Sequence, residues 1–396
     1  MIVRHFLRWI QTAPAGDRAD ATSALARAYL HSDLGVEDRA AAEAAMVMLL
    51  DDPSPLVRRA LAEALAASED APHTVVVGLL QDQAEIAAIV ARHSPLLLDA
   101  ELVDLVGGGE PLVQYAVARR DPVPAPVAAA IAEVGCLEAC LAVVSLETVA
   151  VPAFSIDRII ERFGEDPDIR EALFARGDLS PGARQALVVK LSSALSSFVA
   201  GRAWLPQDRA ARIVREASDK ATVAIAADCR GEGLSPLVRH LRQSGQLSTG
   251  LVLRALLSGN VRLFEEALAE LARLSLRQAS GLVHDRRGAG FRALYDRAGL
   301  PASTYPAFRA ALEAWHDDGA FGQRGGDACL RRRMVERVLT AYAPLADGDL
   351  DQLLAQLRRF AAEAARDEAR AFTRDLIAGN EALDDEAVAF PLVAAA

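Results

Sequence analysis

One turn in the C-terminal half carries residue types that could bind an anion. Residues 284–290 read HDRRGAG, and a predicted helix follows them. The start of a helix offers free backbone N–H groups, and arginines match the oxygens of phosphate and carboxylate groups. The segment is neither a Walker loop nor a dinucleotide fingerprint, because no strand precedes it. The alternative is an ordinary turn with solvated arginines. The candidate anion-binding residues are His284, Arg286, Arg287 and Arg292.

A second basic group stands at the start of a later predicted helix. It consists of Arg331, Arg332 and Arg333. Three consecutive guanidinium groups could meet an acidic partner, so we take them as candidate partner-binding residues. The alternative is an exposed basic turn without a specific role.

The search for catalytic and metal-binding patterns yields no candidate. Cys136 and Cys140 are four residues apart, on one face of a helix, but a zinc site needs two further ligands at suitable spacing. Packed thiols in the core are the better interpretation. His316 and the two aspartates after it suit a helix end as well as a metal-dependent phosphohydrolase. We therefore predict no catalytic residue, no metal and no cofactor, and we leave open whether the chain is an enzyme, favouring the view that it is not.

The helices that would position these residues follow one repeated pattern. Residues 49–66 read LLDDPSPLVRRALAEALA. Ser54 suits a helix N-cap, and Pro55 suits the first helical position. Arg59 and Glu63 are four residues apart and predict an exposed ion pair. An apolar stripe at helical spacing is formed by Leu56, Ala60, Leu61, Ala64 and Leu65.

Altered copies of this stretch recur at intervals of 25 to 31 residues. The positions taken as equivalent are Leu65, Val90, Val117, Val143 and Phe174. The interval has room for one short helical hairpin, which cannot bury its apolar face alone and needs a neighbour of the same kind. The pattern predicts an all-α chain in which stacked hairpins form an α-solenoid, followed by a C-terminal helical domain.

Two resemblances agree with this prediction. The residues Asp52, Val57, Arg58, Ala60, Leu61, Ala64 and Leu65 resemble the short HEAT-like repeats found in phycobilisome lyases and their many relatives. The combination of such repeats with the block LVHDRRGAGFRALYDRAGLP resembles an alphaproteobacterial domain-of-unknown-function family with HEAT-like helical repeats, from about Ala21 to Leu312. The second resemblance implies an α-helical bacterial protein and supplies no catalytic residues.

Composition shifts suggest four segments. We predict an N-terminal helix and linker over residues 1–20, a HEAT-like repeat solenoid over 21–200, a C-terminal helical domain over 207–378 and a loose tail over 379–396.

The charge of the chain is unevenly distributed. The net charge is −11, and residues 1–200 hold 28 acidic against 16 basic side chains. Such a surface repels nucleic acid and anionic lipid and attracts a basic protein segment. The four cysteines make no disulfide framework, and no apolar run is long enough for a membrane-spanning helix. We therefore expect a cytoplasmic protein with reduced thiols.

Three functions remain in competition. The leading hypothesis is a non-enzymatic protein–protein interaction scaffold or adaptor with a regulatory role in a bacterium. It rests on the repeats, which present extended surfaces to a protein or peptide. The first alternative is a HEAT-like protein that binds nucleic acid through a basic stripe of the C-terminal arginines. The second is a sensor of a small molecule or anion that uses the turn at 284–292.

Overall fold

The structure is a computed structural model of the chain and describes residues 9–146, 148–202, 204–229, 233–285, 288–321, 326–342 and 351–388. Within these ranges the regular structure comprises 21 α-helices, one 3₁₀ turn and no strand, which confirms the all-α prediction. Contacts divide the chain into two compact units, unit 1 over residues 1–191 and unit 2 over 192–396. In the part of the chain that is described, no helix has both the length and the apolar character needed to cross a bilayer.

Unit 1 is built from short helices. They are α1 (Ala15–His31), α2 (Val36–Leu49), α3 (Pro55–Leu65), α4 (His73–Leu80), α5 (Ala84–His93), α6 (Asp99–Gly107), α7 (Pro111–Ala118), α8 (Ala125–Val134), α9 (Leu137–Ser145), α10 (Ala153–Phe163), α11 (Pro167–Ala175) and α12 (Pro181–Gly201), the last of which continues past residue 191.

The helices of unit 1 stack in two layers. The odd-numbered helices from α1 to α11 pack one against the next, and the even-numbered α6, α8 and α10 do the same beside them. The even-numbered helices α2 and α4 also pack against each other. Consecutive helices also pack as hairpins, so each hairpin covers the apolar face of its neighbour, as in a solenoid. The core between the layers consists mainly of valine, leucine, isoleucine and alanine.

Helix α3 corrects two details of the sequence prediction. Val57, Leu61 and Leu65 are buried, whereas Leu56 is 59% exposed. Periodicity does not decide which of two adjacent apolar residues turns inward, and the packing of α3 between α1 and α5 places Val57 there. Ser54 does precede the helix, but its hydroxyl makes no capping bond, and its N–H donates to the Asp52 carboxylate.

Buried arginines connect successive hairpins. Arg58 forms a two-pronged ion pair with Asp82, at 2.6 and 2.9 Å. Arg162 on α10 donates to the carbonyls of Ala132 and Gly135 at the end of α8, both at 2.7 Å. The last carbonyls of a helix have no partner within it, so these guanidinium groups satisfy acceptors that would otherwise be buried unpaired.

Two further arginines repeat this arrangement in the odd-numbered layer. Arg120, after α7, donates to carbonyls at the end of α5, and Arg176, after α11, donates to those of Val144 and Leu146 at the end of α9. Arg176 also binds the carbonyl of Val149. Each arginine therefore caps the equivalent helix of the previous hairpin.

Two helix ends differ from the sequence prediction. Helix α1 begins at Ala15, inside the predicted linker and directly after Pro14. The negative charge of Asp17 in the first turn stabilises this helix start, because the helix dipole is positive there. Helix α21 runs from Asp351 to Val388, so residues 379–388 are helical, although a loose tail was predicted there. These residues read GNEALDDEAV and include Gly379, Asn380, Asp384 and Asp385, so helix propensity alone does not explain the continuation. Residues 1–8 and 389–396 lie outside the described ranges, and the other predicted domain limits stay predictions.

Unit 2 contains both long and short helices. They are α13 (Gln207–Asp228), α14 (Leu234–Gln243), α15 (Thr249–Leu257), α16 (Val261–Ala272), α17 (Leu276–Val283), α18 (Ala289–Arg297), α19 (Tyr305–Phe321), α20 (Gly326–Tyr342) and α21. Helix α15 packs against α13, α16, α19 and α20, and every residue from 251 to 257 is buried. The predicted buried face of α18 is confirmed, because Phe291, Leu294 and Tyr295 lie in the core.

Candidate functional site

A groove on unit 1 lies between the neighbouring helices α7 and α9. Its volume is about 820 Å³. Leu112 and Tyr115 contribute from α7, and Leu141 and Ala142 contribute from α9, with Leu146 just beyond its end. Leu112 is 41% exposed, which is a large fraction for a leucine that lines a concave surface. The floor of the groove is therefore apolar and accessible.

The starts of α7 and α9 lie close together at one end of the groove, where the Cys136 thiol is 3.7 Å from the Pro111 carbonyl oxygen. The Cys136 N–H donates to the Gln114 side chain at 2.8 Å, which places the start of α9 beside α7. Glu110 and Glu138 line the groove near the two helix starts, and Arg119 lines it at the end of α7. One end of the groove therefore carries two carboxylates, whereas the other end carries Arg119, Arg120 and Asp121. The guanidinium of Arg119 also donates to the Tyr115 hydroxyl at 3.0 Å.

The dimensions of this groove suit a short peptide. Helix α7 has eight residues and is about 12 Å long at about 1.5 Å per residue. An extended chain advances about 3.3 Å per residue, so roughly four residues of a peptide lie along the groove. Its acidic end adjoins a second hollow of about 540 Å³, since Glu110 lines both, and Asp104 and Glu101 contribute further carboxylates to that hollow.

At the turn of residues 284–290, a side chain of the protein already accepts a hydrogen bond from the start of α18. The Asp285 carboxylate accepts a hydrogen bond from the N–H of Gly290 at 3.2 Å, in the first turn of α18. His284 lies 2.8 Å from the Glu265 carboxylate and packs against the Trp315 ring. An external anion would have to compete with the carboxylate of Asp285 at this helix start.

Arg292 is one of the residues predicted to bind an anion at that turn, and it already has partners within the chain. It pairs with Asp296 one turn later at 2.9 Å and lies 4.4 Å from the centre of the Tyr305 ring. The structure does not place it beside His284. Arg286 and Arg287 lie outside the described residues. The anion site at this turn stays a prediction.

The three consecutive arginines of α20 have different surroundings. Arg332 is exposed and pairs with Glu336 and Glu368, both within 2.9 Å. Arg333 is also exposed. Arg331 is half-buried, and its Nε atom is buried without an acceptor. These arginines therefore do not act as one group, and a common partner for them stays a prediction.

Arg331 lines a cavity of about 330 Å³ within unit 2, which we call the α13–α21 cavity. Four helices and one turn surround it. The polar residues lining it are Lys220 and Asp228 of α13, Arg254 of α15, Ser258 and Asn260 of the turn before α16, Arg331 of α20, and Glu363 and Asp367 of α21.

Arg254 is the most deeply buried charge of this cavity, with 6% of its surface exposed. It pairs with Glu363 at 3.0 Å and lies 4.3 Å from the centre of the Phe360 ring. Burial raises the pKa of Glu363, but Lys220 and Arg254 lower it more, so the pKa lies below its ordinary value and the carboxylate is ionised at neutral pH. Burial also raises the pKa of the neighbouring Asp219 to about 6.

Three residues of the α13–α21 cavity keep a buried donor without an acceptor. The atoms are Nε of Arg254, Nδ2 of Asn260 and Nε of Arg331. A buried donor that lacks an acceptor costs about 1–3 kcal/mol, so native structures contain few of them. Each of these three atoms is itself fully buried, so a ligand in the cavity would not contact it, and the cavity stands as a candidate on its shape and lining alone.

The described residues contain no group of three or more histidine, cysteine, aspartate or glutamate side chains arranged to hold a metal ion. Cys140 is fully buried, as predicted for a core thiol. Burial raises its pKa to about 11, although Arg162 opposes the shift, so the thiol is protonated at neutral pH. That protonation makes Cys140 a poor nucleophile.

Sequence reasoning missed most of the α13–α21 cavity. Its polar residues come from positions 220 to 367, and no local spacing connects them. One signal was available, because Arg254 interrupts the otherwise apolar run LVLRALL at 251–257. A charge inside a buried helix needs a partner and therefore indicates a specific environment.

Comparison with known proteins identifies a family. The family model that matches covers residues 86–347, about two thirds of the chain, and so includes part of both units. No curated protein and no solved structure matches the chain. The chain belongs to the bacterial protein family described as "Uncharacterised protein conserved in bacteria (DUF2336)".

Proposed function

We propose that the protein is a non-enzymatic interaction protein whose unit 1 binds an extended peptide segment of a partner protein in the α7–α9 groove. The observation that carries this proposal is the accessible apolar floor of the groove, with carboxylates at one end. Stacked helical hairpins suit such a role because they present extended surfaces of fixed shape.

The charge of unit 1 specifies the partner further. Glu110 and Glu138 lie at one end of the groove, within a half of the chain that has a net charge of −12. A peptide with a lysine or arginine at that end and an apolar residue over Leu112 matches both features. Long-range attraction would speed its association, and the apolar contact would supply most of the affinity.

The groove offers a direct test with a matched control. Leu112 and Leu56 both follow a proline at the first position of an odd-numbered helix, and both are exposed, but only Leu112 lines the groove. A photo-crosslinking amino acid at position 112 should capture one partner peptide, identified by mass spectrometry in the bacterial host. The same amino acid at position 56 should not capture it.

Binding of the captured peptide then quantifies the role of the groove. Leu112→Glu places a charge on the apolar floor and should weaken binding at least about tenfold, that is by about 1.4 kcal/mol. Leu56→Glu should leave the affinity within about twofold, which is below about 0.5 kcal/mol. Equal effects of the two substitutions would contradict a role for the groove.

The proposed function also implies where in the cell the protein acts. We place the protein in the cytoplasm, where a buried thiol such as Cys140 stays reduced and cytosolic partners are accessible. Fractionation of the host cells would test this placement.

A further inference from the structure

We propose that the partner peptide of the α7–α9 groove also inserts an arginine side chain into the neighbouring hollow of about 540 Å³, which we call the α4–α6 gap. This inference rests on the peptide-binding function proposed above and specifies the partner further. The partner segment would carry an arginine about three positions away from the apolar residue that lies over Leu112.

The α4–α6 gap interrupts the regular stacking of unit 1. In the even-numbered layer, α2 packs against α4 and α6 packs against α8, but α4 and α6, both described in full, make no comparable contact. The residues of α5 that line the hollow are Ala84 and Ala87, and their small side chains leave the space between the two helices unfilled. The hairpins cover one another elsewhere in the unit, so this position stays open to a side chain from outside.

The charge of the gap has one sign. The charged residues that line it are Asp82, Glu101, Asp104 and Glu110. The ion pair with Arg58 neutralises Asp82. No cation among the described residues pairs with the other three carboxylates, and Glu101 accepts a hydrogen bond only from the Leu98 N–H, at 2.8 Å. The gap therefore attracts a positively charged group.

Apolar walls lie between these carboxylates. Val77 and Leu80 contribute from α4, and Leu105 contributes from α6. Glu101 and Asp104 share a face of α6 with Leu105, because the three residues are spaced at helical intervals. An arginine side chain suits this combination, since its methylene groups cover apolar surface and its guanidinium head has five N–H donors for more than one carboxylate. A metal ion fits less well, because the described carboxylates are not grouped as its ligands.

Glu110 sets the spacing of the two anchors. It directly precedes α7 and lines both the gap and the groove, so a peptide passes from one to the other across the start of α7. Packed helices lie about 8–10 Å apart. A polyproline II segment advances about 3.1 Å per residue and presents the same side every three residues, which is about every 9 Å. An arginine in the gap and an apolar residue over Leu112 are therefore about three positions apart.

Selection on the full chain tests this motif without knowledge of the partner. The probe is a phage-displayed library of random peptides. We expect the enriched peptides to share an apolar residue and an arginine about three positions away, always in the same order. Enriched peptides that share the apolar residue but no arginine would overturn this inference and leave the groove as a binding site. A lack of any enrichment would overturn both proposals.

Charge reversal in the gap then measures the contribution of the arginine. Asp104 is exposed and lines the gap but not the groove, so Asp104→Lys leaves the groove intact. It should weaken binding of the most enriched peptide at least about tenfold. A version of that peptide with glutamine in place of its arginine should bind the variant and the wild type within about twofold of each other.

Asp99→Lys is the matched control. Asp99 is an exposed aspartate of the same helix, α6, and lines neither the gap nor the groove. The substitution changes the net charge of the chain by the same amount, so its effect on the arginine peptide should stay within about twofold. Equal weakening by Asp99→Lys and Asp104→Lys would reduce the effect to long-range attraction and overturn the insertion of an arginine.

Crosslinking in the bacterial host gives an independent readout. Val77 lines the gap and is 37% exposed, whereas Val47 of α2 is 36% exposed and does not line it. A photo-crosslinking amino acid at position 77 should capture the same partner peptide as the one at position 112, and position 47 should not capture it. Capture at position 112 alone would overturn the inference while the proposed function stands. Capture at neither position would overturn both.

Discussion

Two sets of arginines differ in their partners: those that donate to backbone carbonyls at helix ends, which occur in both units, and those that line the α13–α21 cavity. In unit 1, Arg162 and Arg176 donate to backbone carbonyls at helix ends, so their hydrogen-bonding capacity serves the fold. In the cavity, Arg254 binds Glu363 but keeps its Nε without an acceptor, and the buried Nε of Arg331 has no acceptor among the described residues. Burial of a guanidinium group therefore does not by itself identify an arginine that binds a ligand. Four predictions test this distinction.

The largest effect is expected at Arg176, which is 5% exposed. Arg176→Met would leave the carbonyls of Val144, Leu146 and Val149 without their donor, and it should lower the free energy of unfolding of unit 1 by about 3–5 kcal/mol. Hydrogen exchange of α9 and α11 amides as a function of urea would measure the loss. A cost below about 1 kcal/mol would show that these carbonyls find other donors.

The second largest loss of stability is expected from one of two adjacent arginines, Arg58 and Arg59. Arg58→Met leaves the buried Asp82 carboxylate without its partner and should cost about 2–3 kcal/mol. Arg59→Met breaks only the exposed pair with Glu63, whose formation confirms the sequence prediction, and should cost no more than about 0.5 kcal/mol. Urea unfolding of both variants makes the comparison, and equal costs would contradict the role of Arg58 between hairpins.

Acid should weaken unit 1 through the same ion pairs. Burial raises the pKa of Asp82, but the hydrogen bonds from Arg58 and from the Gln83 N–H, with the Arg58 charge, hold it below its ordinary value of 3.8. The pKa of Asp52 is also below its ordinary value. Burial raises it, but the hydrogen bonds from Arg18 and from the Ser54 N–H lower it more. A lowered pKa in the folded state contributes stability that is present above pH 3.8 and lost as the pH falls through the folded value.

The measurement is urea unfolding of unit 1 at pH 5 and at pH 3. The wild type should lose more stability between the two values than Asp82→Asn, because asparagine does not titrate. The same loss in both proteins would show that Asp82 does not contribute to the acid sensitivity.

The smallest effect is expected at Arg331 in the free protein. Because the buried Nε of Arg331 has no acceptor among the described residues, Arg331→Met should leave the free energy of unfolding of unit 2 unchanged or raise it by about 1 kcal/mol. Thermal unfolding would measure it. A clear loss of stability would mean that Arg331 supports the fold as Arg176 does, and the contrast between the two sets of arginines would fail.

The sequence predicted those features that depend on neighbouring residues. The Pro55 helix start, the recurrence of the hairpins and the buried face of α18 follow from local spacing, and the structure contains them. The exposure of Leu56 depends on the packing of α3 against two other helices. The partner of Arg58 lies 24 residues away, beyond the reach of any helical pattern. The α13–α21 cavity joins residues more than a hundred positions apart.

The arginine contacts of unit 1 also set an order of events during protein synthesis. Arg120, Arg162 and Arg176 bind carbonyls that lie 29, 30 and 32 residues earlier in the chain. The end of each such helix therefore stays uncapped until the ribosome has added about one more repeat. Nascent chains released just before Arg162 should expose the end of α8 to proteolysis, and chains released a few residues after it should protect it. We therefore expect unit 1 to be completed from its N-terminal end, with each new hairpin capping the one made before it.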